Sequence, residues 1–239
     1  MSCDHKPEHC LRDHAGQPSC IRRVSVFDCL TDEEVAELHA VAQSKHVAKG
    51  EMVFQEGESC DSLFVVSEGI IKISKLSDEG KEQIIRFMFP GDFFGQFSLL
   101  LQKKHYANAE ALEPSVICII HRRDFIQFME NKPKVTYRFL LAVSERLHQA
   151  DDWMGAISLL EVERRLAKIL GLFYEQLSPG DNVVKLPVAK KELAALIGTT
   201  PETLSRKLAW LEEQGIISLE RRNMIKILDP QALLQATVS

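Results

Sequence analysis

The feature that most restricts the fold is a change of hydrophobic period near residue 130. Between residues 50 and 120 short apolar runs recur at 62–67 (SLFVVS), 70–74 (IIKIS), 83–89 (QIIRFMF) and 115–120 (SVICII). Gly50, Gly57, Gly69, Gly80, Gly91 and Gly95 lie in or beside the breaks. Helices do not tolerate glycine so often, and short, closely spaced strands with glycine turns predict an antiparallel sandwich or barrel. From 134 to 157 the pattern turns helical: Leu140, Val143, Leu147, Ala150, Met154 and Ile157 alternate spacings of three and four. That 3.5-residue repeat is the seam of a two-helix coiled coil. A long helix between two domains has little else to bury against, so the stripe predicts a homodimer interface, with packing on its own domain as the alternative.

The flanks complete the organisation. Residues 1–24 read as a polar tail broken by Pro7, Gly16 and Pro18. Residues 31–43 read as a helix with Thr31 as N-cap, Glu34 completing a capping box, and Val35, Leu38 and Ala42 as its apolar stripe. Residues 159–176 read as a helix, Ser178 to Asn182 as a turn, and 216–228 as a hairpin around Arg221-Arg222-Asn223. For 239 residues this divides into a tail (1–24), a sensor (25–130), a dimerisation helix (131–158) and a C-terminal domain (159–239). No apolar run reaches the ~18 residues of a membrane span and no secretion signal opens the chain, so the cytoplasm is the expected compartment.

The strongest local signal is 188–215, VAKKELAALIGTTPETLSRKLAWLEEQG. Leu193, Ala194 and Ile197 form a short amphipathic helix that Gly198 ends. Thr200 caps a second helix with Pro201 at its first position. There Leu204, Leu208 and Leu211 face inward, while Glu202, Ser205, Arg206 and Ala209 take the opposite face. Two helices around a tight glycine turn, the second with polar groups on its outer N-terminal face, predict a helix-turn-helix. Arg206 suits the O6 and N7 of guanine, Glu202 the amino group of cytosine, and Ser205 several bases. Lys190, Lys191 and Lys207 are candidate phosphate contacts, and Arg221 and Arg222 a candidate wing. The net charge of −5 excludes a basic coat over the whole chain, but 158–239 carries +1 against −6 for the rest, as a DNA-facing module should. A dimeric scaffold that binds no DNA is the alternative from another class, and it has no reason to present those three side chains together.

These segments resemble the Crp/Fnr family of transcription regulators. The resemblance runs from about Ser25 and rests on Lys49-Gly50-Glu51, Gly57, Ser67-Glu68-Gly69, Pro90-Gly91-Asp92, Gly95, the long helix and Thr203-Leu204-Ser205-Arg206. It implies an α+β chain: a cupin-like antiparallel β-roll sensor, a dimerisation helix and a C-terminal winged helix-turn-helix. The pattern Glu202-x-x-Ser205-Arg206 is similar to the Fnr branch, which implies TTGAT-like half-sites in a palindromic duplex, with RNA polymerase as a further partner.

The same resemblance frames the signal. Cyclic-AMP receptors hold the ribose with a Gly-Glu pair and the phosphate with an Arg-Ser pair. Here those stretches read Gly95-Gln96 and His105-Tyr106-Ala107, which removes the expected cation and disfavours a nucleotide. The Fnr branch implies a [4Fe–4S] cluster, with Cys3, Cys10, Cys20 and Cys118 as the four thiolates, although six and nine residues separate the first three. Other readings are a switchable disulfide between a tail cysteine and Cys118, zinc on Cys3, His5, His9 and Cys10 or a variant with His14 and Cys20, and a tail whose cysteines are incidental. Cys29 is expected under the first helix and Cys60 in a turn. Gly-x-Ser-x-Gly, a phosphate-cradling loop and His-Glu-x-x-His are all missing, and His105 is the one histidine in 50–120, so an enzyme is not expected.

Overall fold

The computed structural model describes residues 20–59, 61–80, 82–177, 182–221 and 223–235, with Cys20, Leu234 and Gln235 described by backbone alone. The chain forms two compact units, Met1–Arg146 and Leu147–Ser239. Among the described residues no helix is long and apolar enough to cross a membrane.

The described part of the first unit opens with two short 3-10 turns, Cys20–Arg23 and Ser25–Phe27, followed by α1 (Asp32–Val41). Thr31 caps α1: its hydroxyl accepts from the Glu34 amide at 3.3 Å, and the Glu34 carboxylate accepts from the Thr31 amide at 3.0 Å. This is the capping box expected from the sequence. The helix ends sooner than expected, because Ala42 turns extended and opens β1 (Ala42–Val47). Ala42 is buried, but opposite Ile120 on a strand and not on the helical stripe with Val35 and Leu38.

The remaining strands are β2 (Met52–Phe54), β3 (Ser62–Glu68), β4 (Ile71–Leu76), β5 (Glu82–Met88), β6 (Phe93–Phe94), β7 (Asn108–Ala111) and β8 (Ser115–His121), with α2 (Gln96–Leu101) between β6 and β7 and α3 (Arg122–Asn131) after β8. They make two four-stranded antiparallel sheets, ordered β1-β8-β3-β6 and β2-β7-β4-β5. The first sheet is apolar on both faces. Leu63, Val65, Cys118 and Ile120 join Ile21, Phe27, Leu38 and Phe125 in one core, while Phe64, Val66 and Ile117 join Ile71, Ile73 and Met88 in a second. Successive strand residues point to opposite faces, so burial on both sides gives the unbroken runs SLFVVS and SVICII. Lys72 on β4 is buried between Glu82 on β5 (2.8 Å) and Glu110 on β7 (2.9 Å), so its charge is paired across the second sheet.

The long helix α4 (Pro133–Leu159) begins with Val135 and Phe139 in the core of the first unit. The division between the units falls within it, where the sequence reading made the helix a segment of its own. In the second unit α5 (Val162–Leu177) precedes β9 (Val183–Lys185), α6 (Lys190–Leu196), α7 (Pro201–Glu213), β10 (Ile217–Leu219), β11 (Met224–Ile227) and α8 (Pro230–Gln235). The strands pair antiparallel in the order β10-β11-β9. Leu166, Leu170 and Phe173 of α5 are fully buried, as are Leu204, Leu208 and Leu211 of α7. Of the turn expected at Ser178 to Asn182, residues 178–181 lie outside the described residues.

Candidate nucleic-acid interface and sensor

Helices α6 and α7 form the expected helix-turn-helix. The Glu192 carboxylate accepts from the Ala189 amide at 3.0 Å, which caps the start of α6. Gly198 follows in the left-handed region (φ +67), and the Thr199 amide returns to the Ala194 carbonyl at 2.9 Å. Thr200 then caps α7, its hydroxyl accepting from the Thr203 amide at 3.3 Å, with Pro201 at the first helical position.

With the leucines inward, Glu202, Ser205, Arg206 and Ala209 are exposed along the opposite face. Ser205 donates to the Pro201 carbonyl at 2.9 Å and Arg206 to the Thr203 hydroxyl at 3.2 Å. The free backbone N–H at the start of α7, the Thr200 hydroxyl and Arg206 hold the Glu202 carboxyl below the usual carboxylate range, so it is ionised and an acceptor. Lys190 and Lys191 are exposed at the start of α6, and Arg221 is exposed in the turn between β10 and β11. Asn223 closes that turn with φ +61, and Arg222 lies outside the described residues.

Lys207 departs from expectation. It is half-buried and ion-paired with Glu163 of α5, whose carboxyl it draws down against the opposing effect of burial. Three residues past Leu204, position 207 falls on the flank of α7 that meets α5, and the pair with Glu163 braces the recognition helix.

Of the expected metal residues, Cys118 is described in full and Cys20 by its backbone alone. Cys3 and Cys10 lie outside the described residues, as do Cys60 and the zinc candidates His5, His9 and His14. Among the described residues no group of three or more His, Cys, Asp or Glu could hold a metal ion. Cys118 is central in β8, opposite Val65 and Ser44, 1% exposed, and disulfide-bonded. Cys29 is free and half-buried, packed against the same core, so the partner sulfur belongs to a cysteine whose side chain is outside the described residues.

The turn that Cys20 opens is pinned to the sheet. Ile21 is fully buried in the core cluster of Cys118, and Arg23 donates to the Ser67 carbonyl at 2.7 Å. Gly91 (φ +94) lies so close that a Cβ there would sit 2.6 Å from the Arg23 carbonyl oxygen, which only glycine permits. The next two residues bind the long helix: Arg146 of α4 donates to the Phe93 carbonyl, meets the Asp92 carboxylate at 3.3 Å, and stacks 3.9 Å over the Phe93 ring. Pro90-Gly91-Asp92 thus touches both the cysteine-bearing turn and α4.

In the β-roll, His105 is 4% exposed and stacks on Phe54 with ring centroids 3.5 Å apart. The neighbouring cavity has about 30 Å³ of free space, room for one or two waters and far too little for a nucleotide. It does have cations, contrary to expectation: Arg86 from β5 and Arg146 from α4 line it. Arg86 is the one charge in QIIRFMF, whereas Arg146, the fourteenth residue of α4, sits among other charged residues and carries no such signal. Burial pushes His105 below its ordinary value, and Glu58 opposes this weakly. A histidine depressed in the folded state stabilises the fold above its unfolded pKa near 6.5, and that contribution is lost as pH falls below it. The melting temperature should therefore drop between pH 7 and pH 5.5, and His105→Gln should flatten the drop; an equal slope in both proteins would refute the assignment.

A family model described as "Cyclic nucleotide-binding domain" matches residues 44–132, and one described as "Crp-like helix-turn-helix domain" matches residues 164–236. The nitrogen fixation regulation protein FixK of Bradyrhizobium diazoefficiens is 30% identical over 220 residues, covering 91% of each chain. The chain belongs to the Crp/Fnr family of transcription regulators. Within that family it is also 28% identical over 224 residues to the anaerobic regulatory protein of Pasteurella multocida, covering 92% of this chain and 81% of that one. The solved structure of FixK2 from Bradyrhizobium japonicum superposes with a TM-score of 0.76 at 25% identity, covering 83% of this chain and 98% of that chain. The α+β fold of this Crp/Fnr regulator, with antiparallel sheets and a C-terminal helix-turn-helix, agrees with the sequence reading, and the family acts on transcription and not as enzymes.

Proposed function

We propose that this Crp/Fnr regulator is a homodimer that reads a palindromic duplex with TTGAT-like half-sites and switches with redox state through Cys118, in the cytoplasm. The observation that carries the redox reading is the disulfide at Cys118. In a reducing compartment structural disulfides are rare, and those that form are mostly catalytic or sensory. Forming the bond removes two electrons and two protons from a pair of thiols and passes them to an oxidant such as oxygen or a peroxide. The anaerobic regulatory relative supports the same class of signal.

Cys20 is the partner we assign. Its backbone opens the turn whose next residue packs in the core cluster of Cys118. The cluster reading needs four thiolates, and a sulfur in a disulfide is not one. With Cys118 bonded, the set Cys3, Cys10, Cys20 and Cys118 lacks a thiolate that a [4Fe–4S] site needs, and no step here runs through a cluster or zinc.

The dimer reading is supported by the face α4 leaves bare: Leu140, Leu147, Met154 and Ile157 are 60, 65, 62 and 41% exposed. DNA reading is assigned to Glu202, Ser205 and Arg206, with phosphate contacts from Lys190, Lys191 and Arg221. Arg206→Ala should weaken the cognate site by ~1–3 kcal/mol and relax selection at one base pair. Lys190→Ala should weaken all sequences about equally. The measurement is a binding titration against the cognate duplex and single-base variants; unchanged specificity in Arg206→Ala would remove α7 as the recognition helix.

A further inference from the structure

Glu202 and Arg206, the two charged groups assigned to base reading, stand four positions apart on α7, both exposed, with the acid nearer the N-terminus. That spacing and order is the one in which an acid and a base pair most readily along a helix. Such a pair would occupy both readers at once, the carboxylate with the guanidinium and the guanidinium with the carboxylate. Among the described residues the two form no ion pair. Backbone N–H groups at the start of α7 and the Thr200 hydroxyl do most to hold the Glu202 carboxyl low, and Arg206 does least. Arg206 instead donates from Nη2 to the Thr203 hydroxyl at 3.2 Å. That hydroxyl is itself fixed. Its oxygen accepts from the Thr200 hydroxyl at 3.2 Å, and the Thr203 amide donates to the Thr200 oxygen at 3.3 Å. The cap that starts α7 therefore also holds the acceptor that Arg206 uses, on a half-buried side chain whose branched Cβ restricts its rotation.

We infer that Thr203 is a specificity-determining positioning residue: its hydroxyl holds the Arg206 guanidinium off Glu202, so that both remain available to bases. The inference rests on the assignment of Arg206 as a base reader. A guanidinium carries five N–H donors in a fixed fork, so one given to Thr203 leaves the second Nη2 hydrogen and the Nη1 hydrogens for the O6 and N7 of guanine. The energetic order favours this arrangement. A hydrogen bond from a charged donor to a held hydroxyl outweighs an exposed ion pair at this spacing, which salt screens further. Without the hydroxyl, Glu202 is the charge that Arg206 meets at the favourable spacing. The long arginine side chain then settles on Glu202, and binding a guanine requires that pair to be broken first. Thr203 acts through Arg206 and is assigned no contact with a base.

The test is a binding titration of the full-length protein against the cognate duplex and against duplexes changed at the base pair where Arg206→Ala relaxes selection. The readout is the ratio of the two affinities. Thr203→Val keeps the shape of the side chain and removes the hydroxyl, and it should lower that ratio by about tenfold, within the range of one bidentate base contact. Thr203→Ser restores the hydroxyl and should keep the wild-type ratio. Adding Glu202→Gln to Thr203→Val removes the charge that captures Arg206, and the ratio at this base pair should recover. In the unbound protein, carbon NMR should show the Glu202 carboxyl titrating lower in Thr203→Val than in wild type, because the guanidinium has moved onto it. A merely structural role for Thr203 would weaken α7 and lower affinity for every duplex alike, leaving the ratio unchanged. An unchanged ratio in Thr203→Val would overturn the inference, as would a lowered ratio that Glu202→Gln fails to restore or a Glu202 titration that does not move. Should Arg206→Ala relax selection at no base pair, the reading of Arg206 falls and takes this inference with it; should Arg206→Ala relax it while Thr203→Val does not, only the role of Thr203 falls.

Discussion

Leu147→Glu should yield a folded monomer that binds the two-fold site about 10³-fold more weakly. Leu140, Leu147 and Met154 recur at intervals of seven on α4, and each is 60% exposed or more. In a single chain Leu147 buries little, so its replacement costs the isolated fold little. In a paired seam the new carboxylate would lose its water without gaining a partner, at a cost of several kcal/mol. A monomer engages one half-site and forfeits the second as an intramolecular event, an advantage of 10²–10⁴ in affinity. Val143 is a poorer probe than its place in the repeat suggests, because it packs against the core of the first unit and a charge there would also damage the sensor. Sedimentation and circular dichroism decide the matter: a variant that stays dimeric with native secondary structure would remove this face as the interface.

Local rules that the sequence obeys were legible where one physical cause dominates. The Thr31–Glu34 box, the Thr200–Pro201 start of α7 and the Gly198 turn each depend on residues within a few positions, and each appears as expected. Strands buried on both faces, such as β3, announced themselves by length of apolar run. β1 did not, because AQSKHV is polar between its buried ends and is held in place by β8, a partner about 75 residues away. The site divides in the same manner. The outward face of α7 follows from helical spacing alone, whereas the ion pair of Lys207 leaves no local trace because its partner, Glu163, sits on another helix. The cavity cations Arg86 and Arg146 come from elements that only the tertiary fold brings together. A motif defined in another protein's positions predicts no cation there, and this chain supplies two from elsewhere.

Cys118→Ser and Cys20→Ser should each abolish the difference in DNA affinity between protein kept under reducing conditions and protein exposed to oxidant, while Cys60→Ser should preserve it. The argument is one of chain connectivity. A bond from Cys20 to Cys118 closes a loop of about 100 residues, and constraining the unfolded chain to that extent stabilises the folded sensor by up to about 4–5 kcal/mol. Oxidised wild-type protein should therefore melt well above reduced protein, and the two cysteine variants should show a single, condition-independent melting temperature. In the proposed pairing the same bond would fix the Cys20–Arg23 turn against the sheet, where Arg23 holds the Ser67 carbonyl and abuts Gly91, and where Asp92 and Phe93 in turn hold Arg146 of α4. Reduction frees one end of that chain of contacts. A tenfold change in DNA affinity needs only ~1.4 kcal/mol of coupling, a fraction of what the crosslink supplies. Cys118→Ala serves as the control for burying a hydroxyl in an apolar core, and it should behave as Cys118→Ser does. Peptide mapping after alkylation of free thiols identifies the bonded pair directly. A map that joins Cys118 to a cysteine other than Cys20 would reassign the partner. Wild-type protein that binds DNA with equal affinity in both conditions, with the bond present in one and absent in the other, would end the redox reading altogether.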